Sequence, residues 1–222
     1  MLKYILFACL LSFPAFTSLK AQSCGNDEKY HLPYKNTYVK EPLVTENEYR
    51  VANPQTIVPK SFKEARQILP NPIWDGHEKE LEMYWRAWEI AVGNIRAPQE
   101  GSGFVSSYLD TAYNGNIFMW DSSFILMFAR YGTRFFPFQR TLDNFYAKQH
   151  PDGFICREIK ADGADCFERY DPVSTGPNLM PWCEMVYYHQ FGDTERLQKI
   201  FPVLCAYYKW LKLNHTWQNG TY

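Results

Sequence analysis

The chain has 222 residues, 46% of them hydrophobic, and a formal net charge of −1, so it is long enough to bury a core of its own. That balance provides no basic stripe for nucleic acid, which excludes a nucleic-acid partner, and the scattered His31, His77, His150, His189 and His215 share no zinc-type spacing with the cysteines, so no metal or other cofactor is expected. What the composition does supply is 7 Trp, 16 Tyr and 16 Phe, more than a core consumes and the side-chain type that stacks on the flat apolar faces of sugars.

Residues 1–21 read as an export signal. Lys3 gives a basic start, Tyr4 opens an apolar run that ends at Phe16, and Leu19-Lys20-Ala21 offers a cleavage site before Gln22. The run is too short for a permanent membrane span. Cys24 follows closely enough to be a lipidated cysteine, which would place the chain on a membrane. However, Ala21-Gln22-Ser23 lacks the usual leucine, and simple cleavage into the periplasm or the exterior is the alternative. With Cys9 removed, five cysteines remain. Cys156 and Cys166 could bridge across the loop between them, whereas Cys183 and Cys205 fall on helical patterns as buried thiols.

Residues 22–70 are expected to form an extended, irregular arm punctuated by Pro33, Pro42, Pro54 and Pro59, with short strands near Tyr38-Val39 and Thr56-Val58 and a short helix from Ser61 to Leu69. From residue 78, Leu81, Tyr84, Trp85, Trp88, Ala91, Val92 and Ile95 recur at helical steps until Pro98 stops the pattern. A loop with strands around Phe104-Val105 and Ile117-Phe118 leads to a helix from Ser122 to Tyr131. This helix is apolar nearly all round and so expected to be buried on most sides. Phe138, Leu142 and Phe145 mark an amphipathic helix. Asp152-Gly153 turns into a short strand at Phe154-Ile155, and a polar loop fills residues 160–178. The next helix enters through Pro181 and leaves through Gly192. Asp193 or Thr194 caps another, and Pro202 is expected to begin a further one.

This alternation of buried and amphipathic helices, joined by tight turns and long aromatic loops, is how a closed ring of helical hairpins reads. A compact all-α bundle with decorated loops fits the same pattern. Three segments favour the ring. Phe118-Met119-Trp120-Asp121-Ser122-Ser123-Phe124, then Asp152-Gly153-Phe154-Ile155-Cys156-Arg157-Glu158, then Asn178-Leu179-Met180-Pro181-Trp182 together resemble, in order, motifs of the toroidal six-hairpin glycosidases. That group includes mannosylglycerate hydrolase, the processing α-glucosidases and trehalase. The resemblance spans residues 70–222. In the third segment two residues separate an Asn and a Pro that are often adjacent in that group.

The resemblance implies a mainly α fold, a partial (α/α)6 toroid over residues 71–222, and an inverting, α-glycosidase-like activity on an oligosaccharide or glycoside. It places Trp120, Asp121, Arg157, Glu158 and Asn178 at the substrate; Tyr113 and Phe118, in aromatic-rich loops, are candidate cleft walls unless those loops pack on themselves, and Trp182 is either core or a platform. Trp120 would offer a ring face, and Asp121 would accept from neighbouring hydroxyls. Alternatively, Asp121 or Asn178 is a helix cap, and Arg157 or Glu158 joins a surface ion pair with Glu168 or Arg169. Inverting hydrolysis needs two carboxyl groups roughly 6.5–9.5 Å apart, one of them shielded enough to stay protonated. The resemblance puts the acid and base beyond Asn219-Gly220-Thr221-Tyr222, so a fragment without catalytic residues is expected. Asp121 with Glu158 is the substitute pair within the chain. A non-catalytic sugar-binding remnant and a sugar epimerase on a similar ring are the competing readings, the latter requiring histidines in the cleft.

Overall fold

Capping and turn chemistry set the element boundaries in the computed structural model, which describes residues 36–57 and 61–216. The export segment, Cys24, Val58 and the final six residues lie outside the described residues. Ser61 and Glu64 form a reciprocal capping box that starts α1 (Phe62–Ala65), and turns continue it to Leu69. Helix α2 (Glu78–Gly93) buries Trp88, Ala91 and Val92. It stops five residues before Pro98, contrary to expectation. Gly93 and Asn94 are poor helix formers, and Ile95 is drawn into β1 (Ile95–Arg96), antiparallel to β2 (Tyr108–Leu109) with Ile95 opposite Leu109. Phe104-Val105 is buried but is not a strand.

Strand β3 (Ile117–Phe118) runs directly into α3 (Met119–Ala129) and pairs antiparallel with β4 (Glu158–Ile159), placing Phe118 opposite Glu158. The strand expected at Phe154-Ile155 is displaced to β4, and Phe154 and Ile155 are core. Helix α4 (Thr141–Ala147) is not amphipathic: residues 141–146 are all buried. It tolerates this because each polar side chain has a dedicated partner. Asn144 accepts from the amides of Val105 and Ser106 at 2.9 and 3.0 Å and donates to the Ser106 carbonyl, while the Thr141 hydroxyl accepts from the Leu109 amide at 3.1 Å.

Helix α5 (Met180–Phe191) begins with Pro181 in its first turn and ends on Gly192, in the left-handed region at φ 68°. Asp193 then caps α6 (Thr194–Asn214), accepting from the Arg196 amide at 2.9 Å. Pro202 does not begin a new helix. It lies inside this 21-residue one, where the buried Ile200, Val203, Ala206, Tyr207, Trp210 and Leu211 hold the register that a proline alone would break. Gly153 lies where loop and helix meet. A Cβ there would come within 2.5 Å of the Ala206 carbonyl oxygen, and its φ of 97° suits only glycine.

The fold is mainly α: about half of the described residues are helical, and two two-stranded ribbons provide the rest of the regular structure. Helix α4 sits at the centre, α3 packs on both α4 and α5, and α5 packs on α6. Tyr38-Val39 is not a strand, and beside Thr56 there is only an isolated parallel bridge of Gln55 with Ser106; between them lie two 3-10 turns, Pro42–Glu46 against α6 and Glu48–Val51 against α4. A buried ionic knot ties these helices together. Arg196 donates to Asp143 at 2.8 Å and to both oxygens of Glu184 at 2.8 and 2.6 Å, and Tyr146 donates to Glu184 at 2.8 Å. Among the described residues no helix is long and apolar enough to cross a membrane.

Candidate functional site

The first turn of α3 decides which side chains face outward. The helix starts at Met119, three residues earlier than its apolar run suggests, so Trp120 and Asp121 are inside it rather than before it. Its inward face is Met119, Ser122, Ser123, Leu126 and Ala129. These positions are three and four apart, and two of them are serines. Trp120 and Phe124 therefore point away from the core, 41% and 51% exposed. This corrects the expectation of a helix buried on most sides. An apolar residue list gives no periodicity to read, and the small serines occupy the buried stripe that hydropathy would assign to the aromatics.

Trp182, 45% exposed on α5, completes an aromatic row. The Trp120 and Phe124 rings are 6.0 Å apart and those of Phe124 and Trp182 6.2 Å, each pair edge to face. Offset, tilted rings of this kind leave faces free. Phe124 is the member that sequence reasoning missed, although its position four residues after Trp120 puts both on one helical face.

Polar groups gather beside this row. The Met119 amide donates to the Arg157 carbonyl at 2.8 Å, fixing Arg157 against the start of α3, and the Arg157 amide donates to the Ser174 carbonyl at 2.9 Å. The Arg157 guanidinium lies 4.4 Å over the Phe167 ring, its Nε is buried without a hydrogen-bond partner, and it forms no ion pair among the described residues. Gly176 backs onto it: a Cβ there would be 3.7 Å from Arg157 Cδ. Two residues later the Asn178 Oδ1 is buried and also unpartnered, as is Ser122 Oγ on the inner side of α3. Ser122 lies on the inward face of α3, away from the exposed rings.

The other assignments divide. Asp121 is exposed in the first turn of α3 and is not its cap, which is Phe118. Asn178 does not cap α5 either, since Leu179 holds that position with no side-chain bond. Among the described residues Glu158 forms no ion pair. Its Oε1 accepts from Asn116 Nδ2 at 2.9 Å, and its side chain hydrogen-bonds the Cys166 thiol. Arg169 instead bonds Asp152 at 3.1 Å and His150 at 2.7 Å. Phe118, half-buried, sits across from Glu158 at the root of the row. Tyr113 is 66% exposed with φ 61°, at the tip of a loop whose Ala112 and Gly115 amides donate to Asp110. Among the described residues no ring contact joins it to the row. The arrangement is an exposed row of aromatic rings rather than an enclosed cavity.

A protein of Borreliella burgdorferi (strain ATCC 35210 / DSM 4680 / CIP 102532 / B31), described as an uncharacterized protein, is 28% identical to this chain over 101 residues, which is 46% of the chain and 21% of that protein. The match thus spans about a fifth of the relative's length. No protein-family model and no solved structure matches the chain.

Proposed function

We propose that this chain is the substrate-binding part of an exported, ring-type glycoside hydrolase. In this reading the helices α3 to α6 belong to a partial (α/α)6 toroid, and the row Trp120–Phe124–Trp182 with Arg157, Asn178 and Asp121 binds an oligosaccharide or glycoside. The supporting observation is the row of three exposed, tilted aromatic rings on α3 and α5, with the Arg157 backbone fixed to the start of α3. A sugar presents apolar ring faces for such a row. In this reading Asp121 and Glu158 are not the acid and base of hydrolysis. The epimerase reading finds no comparable support, because His150 bonds Asp165 and Arg169, and His215 bonds Thr175.

The test is titration of the chain with a panel of neutral oligosaccharides, read by tryptophan fluorescence and calorimetry, against Trp120→Ala and Trp182→Ala. Each truncation removes an anchor of the kind that dominates binding surfaces and is expected to weaken affinity roughly tenfold or more, about 1.4 kcal/mol or above, with the melting temperature unchanged. Equal affinity in both variants and the parent, or no saturable binding by any member of the panel, defeats the proposal.

A further inference from the structure

The loop that carries Glu158 folds back so that two cysteines ten residues apart become neighbours. Ile159 bridges Asp165 in antiparallel fashion, with the Lys160 amide donating to the Ala164 carbonyl at 2.8 Å and the Cys166 amide to the Glu158 carbonyl at 3.1 Å. In this register Glu158 faces Cys166, and Cys156, two residues back along the same strand, points to the same side. An ideal diagonal pair is too distant for a bridge, but here the Cys166 backbone itself lies against the Cys156 thiol. The backbone amide groups of Glu158, Cys166 and Phe167 lie against the Cys156 thiol, and its sulfur is 4.0 Å from the Phe167 carbonyl. The Cys166 sulfur lies 3.9 Å from Asn116 Nδ2 and hydrogen-bonds Glu158, a contact it must give up to reach Cys156. The remaining described cysteines, Cys183 on α5 and Cys205 on α6, belong to other elements.

We infer that Cys156 and Cys166 form a disulfide that staples the loop presenting Arg157 and Glu158. The reaction requires an external disulfide as oxidant. The more exposed Cys166, as thiolate, attacks one sulfur of a small disulfide such as oxidised glutathione and expels a glutathione thiolate. Cys156, as thiolate, then attacks the mixed disulfide at Cys166 and expels the second, so both protein sulfurs are oxidised, one glutathione disulfide is reduced to two thiols, and the two protons of the cysteines end on them. Burial, with the Glu158 carboxylate beside it, pushes the Cys166 thiol up to about 12, so the folded, reduced protein reacts slowly and the bond forms during folding. Once it has formed, Glu158 keeps its bond to Asn116 and loses the thiol as a donor. The inference is independent of the sugar-binding reading.

The experiment refolds the full chain from the reduced, denatured state in a glutathione redox buffer, blocks free thiols by alkylation, and maps peptides without reduction. The expected product links Cys156 to Cys166, leaves Cys183 and Cys205 alkylated, and melts roughly 5 °C or more above the reduced protein. The Cys156→Ser and Cys166→Ser variants should each lose both the linked peptide and the gain in melting temperature. Folded protein with both thiols alkylated after oxidative refolding overturns the inference, and so does a linkage of either cysteine to Cys24, Cys183 or Cys205.

Discussion

Asp143 illustrates what one buried charge does to a helical core. Arg196 is shared between Asp143 and Glu184, so two buried carboxylates face one buried guanidinium, with Arg140 adding a weaker positive charge. Burial, offset in part by Arg196 and reinforced by Glu184, raises Asp143 to about 6 from 3.8. The folded state therefore holds this proton more tightly than the unfolded chain does. The sign is the reverse of an ordinary surface carboxylate: the stabilisation is complete below about pH 4 and is lost as pH rises towards 6 and above. Asp143→Asn keeps the shape and removes the titration. The melting temperature of the parent minus that of the variant is expected to fall by several degrees between pH 4 and 7, at roughly 2–4 °C per kcal/mol for a domain of this size. A difference that stays flat across that range would show that Arg196 holds Asp143 ionised throughout.

At the level of elements, turn chemistry was the most legible part. Gly192, Asp193, Pro181 and the Ser61–Glu64 box all act where their residue types suggest. Illegible features came from tertiary contacts overriding local signals. Pro202 reads as a boundary, yet it lies within α6 because packing supplies the order its missing amide does not. The α4 segment reads as amphipathic because Asp143 and Asn144 are polar, and only the chain around it reveals that they are bonded inward. Gly153 joins the two levels. Its sequence neighbour Asp152 announces a turn, but the contact with the Ala206 carbonyl is invisible before folding. Gly153→Ala should destabilise the protein by at least about 2 kcal/mol through positive φ and backbone overlap together. Urea unfolding measures this, and a loss under 0.5 kcal/mol would mean that loop and helix separate at no cost.

For the molecule as a whole, a surface rather than an enclosed cavity is the candidate site. Trp120, Asp121, Arg157, Asn178 and Trp182 were legible as candidates from motif resemblance, and the structure brings the first turn of α3, the approach to β4 and the entry to α5 side by side. Phe124 was not legible, since its helix has no polar face to orient it by. Tyr113 was nominated by loop composition alone, which carries no information about direction, and it stands apart from the row.

The two serines on the inner side of α3 have a mechanical consequence. With hydroxymethyl groups in place of larger side chains, α3 is seated close against its neighbours, and the outward rings inherit their spacing from that seat. The proposed binding surface is in that sense calibrated from behind. Ser123→Leu alters no atom that a ligand would touch, yet it should lever the helix outward, misalign the rings and weaken oligosaccharide affinity severalfold along with stability. Titrating this variant beside Trp120→Ala distinguishes a surface gauged by its foundations from one defined by its face alone.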